Sequence, residues 1–236
     1  MIRLVFIVIR FFFEIPGIFH RIHKQLKYKD QISIDERIDT LRKILRKAVK
    51  RANVDLKVYG VENLPAKGGF LMTPNHQGMF DIVALFYAID RPFKIVYKKE
   101  LRKIKIVADA LDSMDYLAID RQNLRQSVKV IRQVKKELGE GMPWVIFPEG
   151  TRSKNGNQLL EFKGGSFKSA MDAKVPVVPV ANINCYEVLD RNTLKKVHCQ
   201  IHFLKPISYD EYKDMNSEEL AMHVKKLIER CIEEHA

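Results

Sequence analysis

The chain has 236 residues, 46% hydrophobic and 30% charged, and 41 Lys and Arg against 29 Asp and Glu leave a net charge of +12. At roughly 150 residues per domain this makes one or two domains with a sizeable core, and 11 Gly, 9 Pro and the lack of any biased repeat exclude a disordered, collagenous or low-complexity chain. Cys185, Cys199 and Cys231 are odd in number and scattered, which argues against a disulfide framework or a zinc site, so no metal is expected and the thiols read as free in a reducing cytosol.

The positive charge gathers at the start of the chain. Residues 1–60 hold 14 basic and 6 acidic side chains (+8), whereas residues 161–236 hold 11 and 12 (−1). A phospholipid surface, nucleic acid, an anionic cofactor and an acidic carrier protein are all candidate counterparts. Residues 1–19 are apolar and aromatic, but Arg10 and Glu14 cut the longest uncharged run to residues 4–9, and Pro16-Gly17 is set to bend or end a helix. That is short of the about 20 residues of a membrane span, and no small-residue cleavage site marks a secretory signal. The segment reads as a helix embedded in the membrane or lying on its interface, with a true span and an ordinary core helix as the alternatives.

Ser33-Ile34-Asp35-Glu36 fits a capping box and predicts a helix. Ile34, Ile38, Leu41, Ile44, Leu45, Ala48, Val49 and Ala52 then recur at helical spacing, with Arg42, Lys43, Arg46, Lys47, Lys50 and Arg51 opposite them. A basic amphipathic helix beside an apolar end suggests adhesion to anionic lipid; a solvated face on an ordinary core helix is the alternative. Residues 1–53 therefore read as an N-terminal membrane-associating helical segment, and 54–236 as a second unit.

From Val54 onward short strand-like and longer helix-like runs alternate. Strands are expected at 54–58, 70–73, 93–97, 116–119, 144–147, 175–183 and 197–204, and helices at about 80–90, 100–112, 123–138, 165–173 and from 217. The alternation predicts an α/β fold with a mixed, mostly parallel sheet flanked by helices, preceded by the membrane-anchoring helical segment.

Two polar clusters sit at strand ends. Asn75-His76 follows the second strand, and Asp81 lies five residues after His76, so the carboxylate can hold one ring nitrogen while the other faces a substrate; a satisfied structural histidine is the plainer alternative. Phe147-Pro148-Glu149-Gly150-Thr151-Arg152-Ser153 follows the strand at 144–147, at the carboxyl edge where open α/β sheets bind ligands. There Gly150 allows close backbone approach, Arg152 can grip a phosphate bidentately, and Thr151 or Ser153 can add hydroxyl donors. The alternative is a turn in which Glu149 pairs with Arg152. Arg121, after the strand at 116–119, is a further basic point at that edge.

Asn75-His76 with Asp81, Lys99-Glu100-Leu101 leading to Ile119-Asp120-Arg121, the Phe147–Ser153 run and Val175-Pro176-Val177-Val178-Pro179 occur in the order of the four motif blocks of the glycerolipid acyltransferases. The chain resembles that family, and most of all its bacterial 1-acylglycerol-3-phosphate acyltransferases, over about residues 54–207. Between Leu101 and Arg121 it departs from the family's usual Pro and Gly, reading Lys103 to Asp109 without either. The resemblance implies acyl transfer from a thioester, on coenzyme A or acyl carrier protein, to the free hydroxyl of lysophosphatidic acid, or to another acceptor such as glycerol-3-phosphate or a different lysolipid. It implies His76 and Asp81 as the catalytic pair, and Arg121, Glu149, Gly150, Thr151, Arg152 and Lys163 as substrate-binding residues. Glu149 would orient the phosphate or Arg152. Thioesters are already activated, so no cofactor and no Ser or Cys nucleophile is expected, and the chain has no G-x-S-x-G elbow. The expected setting is the cytoplasmic face of the cell membrane, with an anionic lipid surface as a partner; nucleic acid ranks last, because the basic residues lack aromatic interleaving and any nucleic-acid motif.

Overall fold

A computed structural model describes residues 2–236; Met1, the first residue of the apolar segment, lies outside them. Three helices, α1 (Ile2–Phe11), α2 (Ile15–Lys27) and α3 (Ile34–Arg51), lead into β1 (Val54–Tyr59). There follow β2 (Leu71–Pro74), α4 (Phe80–Ala88), β3 (Lys94–Lys98), α5 (Lys105–Ser113), β4 (Leu117–Ile119), α6 (Leu124–Gly139) and β5 (Trp144–Val145). The chain then forms α7 (Lys168–Ala173), β6 (Val177–Ile183), β7 (Val197–Phe203), α8 (Tyr209–Tyr212) and α9 (Ser217–His235).

The seven strands form one sheet in the order β1-β7-β6-β2-β5-β3-β4. β6, β2, β5, β3 and β4 run parallel, β7 is antiparallel to β6, and β1 pairs parallel with β7, which is the mixed, mostly parallel sheet expected. β2 and β6 are buried along their whole length, as strands covered on both faces must be. One face, including Met72, Val145, Val178 and Val180, packs under α3, α4 and α5; the other, with Leu71, Trp144, Val177 and Ala181, packs under α6, α7 and α9. Each fully buried aliphatic or aromatic side chain there contributes roughly 1.5–3 kcal/mol.

Three local details differ from the expectations. The helix expected at 100–112 is a 3-10 turn (Lys99–Lys103) followed by α5, because Ile104 is extended (φ −96°, ψ 101°) and breaks the run. β5 has only two laddered residues; Ile146 N still donates to Met72 O, and the chain then leaves the sheet for the loop at 147–153. Pro16 begins a helix and does not end one: α1 stops at Phe11, and the proline lies in the first turn of α2, where its missing N–H carries no penalty.

The N-terminal helices are tied to the body by cations. Arg3 is fully buried and donates from Nη1 to Ala52 O (2.5 Å) and Asn53 O (3.1 Å) and from Nη2 to Lys195 O (2.7 Å), gathering the carbonyls at the C-terminal end of α3. Glu14, in the turn between α1 and α2, pairs with Lys47 (2.5 Å) and Arg51 (2.6 Å) of α3. Arg42 and Lys43 pair with Asp39, and Arg46 with Asp90. Of the six cations that mark the basic face of α3, five are therefore paired within the chain and only Lys50 has no partner among the described residues. Ile38 and Val49 of the same helix enter the core.

The outer side of α1, with the turn that follows it, is different. Ile2, Leu4, Val5, Val8, Ile9, Phe12 and Phe13 are all exposed, Phe13 to 94%. Among the described residues no helix is long and apolar enough to cross a membrane. α2 packs against α5 and, with residues 105–109, lines a groove of about 470 Å³, so the segment that departs from the motif pattern contributes to this contact.

Removing the Arg3 guanidinium deletes charge-assisted bonds of about 1.5–3 kcal/mol each. Arg3→Ala is therefore expected to speed amide exchange over residues 7–11 at least about tenfold, with proteolysis at residues 12–14 while the sheet stays protected. Unchanged exchange in α1 would show that its packing does not depend on this contact.

Candidate active site

β2 ends at Pro74 with parallel partners on both sides, β6 and β5, so the turn that follows opens at the carboxyl edge of the sheet, between the two loops that leave those strands. This turn carries Asn75, His76, Gln77 and Gly78 into α4. Asp81 lies in the first turn of α4 and is fully buried. Its Oδ2 accepts from His76 Nδ1 (2.8 Å), Gln77 N (2.6 Å) and Gly78 N (3.0 Å). With Asp81 ionised and the ring neutral, that oxygen can only accept, which assigns the ring proton to Nδ1 and leaves a lone pair on Nε2. Burial pushes the Asp81 carboxyl above its ordinary value, and the three donors oppose that shift, His76 most strongly.

The His76 side chain is 24% exposed and its ring packs on Phe147 at 4.3 Å. The main chain of His76 is held from the other side by the loop after β5. Glu149, 2% exposed, accepts from His76 N through Oε1 (2.6 Å) and from Leu160 N through Oε2 (3.1 Å), and Ser153 N donates to His76 O (2.9 Å). Glu149 was expected to orient a phosphate or Arg152; here each of its oxygens accepts from a backbone N–H, and Arg152 is not among its partners. Burial raises its pKa, and the two backbone bonds act against that.

Polar amides brace the turn from beneath. Asn75 and Asn182 of β6 exchange three hydrogen bonds, Asn75 Nδ2 to Asn182 O, Asn182 N to Asn75 Oδ1 and Asn182 Nδ2 to Asn75 O. Gln77 donates to Asn157 Oδ1 (2.7 Å) and accepts from Cys185 N (2.9 Å). The block Val175–Pro179 is structural: it leads into β6, and Leu71 N donates to Pro176 O.

Beside this turn lies a hollow of about 260 Å³, lined by Lys98, Glu100, Asp120, Arg121, Gly150, Thr151 and Lys163 among others. It thus gathers Arg121, Gly150, Thr151 and Lys163 from the sequence expectations. Gly150 has φ +72°, and a Cβ there would meet Lys163 Nζ at 3.2 Å, so glycine serves both the left-handed backbone and the approach of that amine. Arg152 is not among the lining residues and has no hydrogen-bonding or ionic partner among the described residues; it is half-buried on the same loop. Lys98 was missed by the sequence reading, although its position at the end of β3 places it on the same carboxyl edge. Lys98 and Lys99 pair with Glu100 (3.6 Å) and Asp120 (2.6 Å), leaving Arg121 and Lys163 without ion-pair partners in the hollow.

Comparison with known proteins adds to this geometry. Residues 55–183 match the Acyltransferase family. The chain is 32% identical over 168 residues to a 1-acyl-sn-glycerol-3-phosphate acyltransferase of Salmonella typhimurium, covering 71% of this chain and 68% of that protein. A protein of the same name from Escherichia coli is 31% identical over the same shares, and one from Helicobacter pylori is 28% identical over 68% of this chain and 72% of its own. The fold is similar to the crystal structure of the 1-acyl-sn-glycerophosphate (LPA) acyltransferase from Thermotoga maritima, with a TM-score of 0.75 and 24% identity over 99% of this chain and 97% of that one.

Proposed function

The chain belongs to the acyltransferase family, and we propose that it moves a fatty acyl group from an acyl thioester to the free hydroxyl of 1-acylglycerol-3-phosphate, giving phosphatidic acid for phospholipid synthesis. The observation that carries this reading is the His76–Asp81 pair at 2.8 Å, with Nε2 left as a bare base on the open side. Nε2 takes the proton of the acceptor hydroxyl as its oxygen attacks the thioester carbonyl. The tetrahedral intermediate collapses, the C–S bond breaks, and the imidazolium returns its proton to the departing thiolate. A positioned general base of this kind contributes roughly 100- to 10,000-fold. Asp81 holds the tautomer and stabilises the imidazolium. The thioester is the only activated group in this scheme, so it needs no cofactor and no enzyme nucleophile.

Arg121 and Lys163, with the Gly150 backbone and the Thr151 hydroxyl, line a hollow of a size and charge suited to the acceptor's phosphate. Arg152, without a hydrogen-bonding or ionic partner among the described residues, is assigned to that phosphate as well. Glu149 supports the site indirectly, by fixing the His76 backbone. Coenzyme A and acyl carrier protein are both candidate donors, since either presents the same thioester, and basic side chains on this edge suit the acidic partner in both cases.

The acceptor is a lipid, and the exposed apolar side of α1 suits a protein that works from one leaflet, at the cytoplasmic face of the cell membrane. With the cations of α3 largely paired inside the chain, apolar insertion dominates that association, and α3 charge is secondary.

Purified chain given lysophosphatidic acid with acyl-CoA or acyl carrier protein thioester is expected to form phosphatidic acid with at least one donor. Glycerol-3-phosphate and other lysolipids, added as competitors, are expected to be poorer acceptors. His76→Ala is expected to abolish turnover while leaving the unfolding transition in place. No product from either donor, or an active His76→Ala enzyme, contradicts the reading. Sedimentation with anionic vesicles tests the membrane contact. Replacing Phe12 and Phe13 together by Ser is expected to weaken binding about a hundredfold or more, at roughly 1.5–3 kcal/mol for each buried Phe; unchanged binding would move the contact elsewhere.

A further inference from the structure

A cluster of donor side chains that takes no part in the proposed reaction lies at the other end of the sheet. Alternation along β7 sends Cys199, Ile201 and Phe203 into the core beneath α4, and therefore turns His202 to the opposite face, toward α9. On α9, Cys231 and His235 are four residues apart and so share a side of the helix. Cys231 Sγ lies 4.0 Å from His235 Nδ1, and the rings of His202 and His235 are 4.6 Å apart between centroids. One ligating atom from each of the three residues falls within 4.8 Å of the others.

The hydrogen bonds around the cluster determine which ring nitrogens are free. Gln200 Nε2 donates to His235 O (3.0 Å), which turns Gln200 Oε1 toward His202 Nε2 at 2.9 Å. An amide oxygen only accepts, so His202 carries its proton on Nε2 and Nδ1 is bare. His235 Nδ1 lies 2.8 Å from Cys231 O, another pure acceptor, so its proton is on Nδ1 and Nε2 is bare. In each case the remote N–H is held by a carbonyl-type oxygen, the arrangement that orients metal-ligating histidines. Tyr59 of β1 stacks on His202 at 4.6 Å and fixes its plane. Burial first, and the neighbouring His235 second, lower the His202 pKa to about 4.

We propose that His202, Cys231 and His235 bind a borderline-soft divalent cation, Zn²⁺ by ligand preference, with water in the fourth position. Two imidazoles and a thiolate suit zinc, and hard cations such as Mg²⁺ and Ca²⁺ prefer oxygen donors. Donors around a tetrahedral zinc stand about 3.5 Å apart, so the three side chains draw together on binding, the exposed His235 ring turning its bare Nε2 toward the other two. The Cys231 thiol, raised to about 11 by burial and then by Glu234, ionises when the cation arrives and its proton is released to solvent. The ion clamps the last turn of α9 to the β7–β1 edge, on the opposite face of the sheet from α4 and Asp81. No sequence motif announces the site, because its third ligand lies 29 residues upstream on a strand.

Titration of the metal-stripped full chain with Co²⁺ tests the proposal without reference to acyl transfer. Expected are one Co²⁺ per chain, tetrahedral ligand-field bands in the visible, a thiolate-to-cobalt charge-transfer band, and displacement of Co²⁺ by Zn²⁺. Cys231→Ser is expected to remove the charge-transfer band, whereas Cys185→Ser and Cys199→Ser keep it. His235→Ala, a change at an exposed ring, is expected to weaken Co²⁺ binding at least about tenfold. Absence of the thiolate band in the unmodified chain, its survival in Cys231→Ser, or unchanged Co²⁺ affinity in His235→Ala would each overturn the assignment.

Discussion

A single carboxylate oxygen, Asp81 Oδ2, determines how the turn after β2 presents His76. It receives the imidazole Nδ1 proton and two consecutive backbone N–H groups, so ring, turn and helix start are fixed by one atom. A fully buried charge is costly, by several kcal/mol when uncompensated. Here the cost is offset in part by three hydrogen bonds to Oδ2 and by the N-terminal end of α4, while Oδ1 has no partner among the described residues and burial still holds the carboxyl above its ordinary value. The rest of the site follows from this placement: with Nδ1 committed, Nε2 is the only ring nitrogen left to act as a base.

The second hold on His76 acts on its backbone and comes from the loop after β5. Glu149 takes the His76 N–H and Ser153 supplies an N–H to its carbonyl. That loop continues through Gly150 and Thr151 into the basic hollow, so the segment that holds the His76 backbone also builds one wall of the hollow. In the proposed reaction, proton removal and phosphate recognition are thereby coupled through a short stretch of chain. The Asn75–Asn182 pair extends the same logic to β6: three hydrogen bonds tie the turn to that strand beneath the site, although the buried Asn182 Oδ1 has no partner among the described residues.

The parts that were legible in the sequence are those set by local spacing. A histidine and an aspartate five residues apart across a strand-to-helix turn can meet in only a few ways, and the alternation of residues 54–204 marked every strand. The role of Glu149 was not legible, because its partners are backbone N–H groups 73 residues before it and 11 after it. Strand order was hidden for the same reason: β5 inserts between β2 and β3, and β7 reverses direction, through pairings distant in sequence. Arg3 looked like part of a lipid-facing segment, yet it is buried against carbonyls contributed by residues 52, 53 and 195. The charge of α3 looked available for lipid, but its acceptors lie on Glu14, Asp39 and Asp90, of which only Asp39 is within the helix itself.

The proposed catalysis rests on the proton position that Asp81 imposes on His76. Imidazole nitrogen NMR of the free enzyme, with the His76 signals assigned by their loss in His76→Gln, reads that position directly. At a pH where the ring is neutral, the expected result is a protonated Nδ1 and an unprotonated Nε2 for His76. A neutral ring protonated mainly on Nε2 would contradict it, because Asp81 would then not hold Nδ1 and no base would face the acceptor.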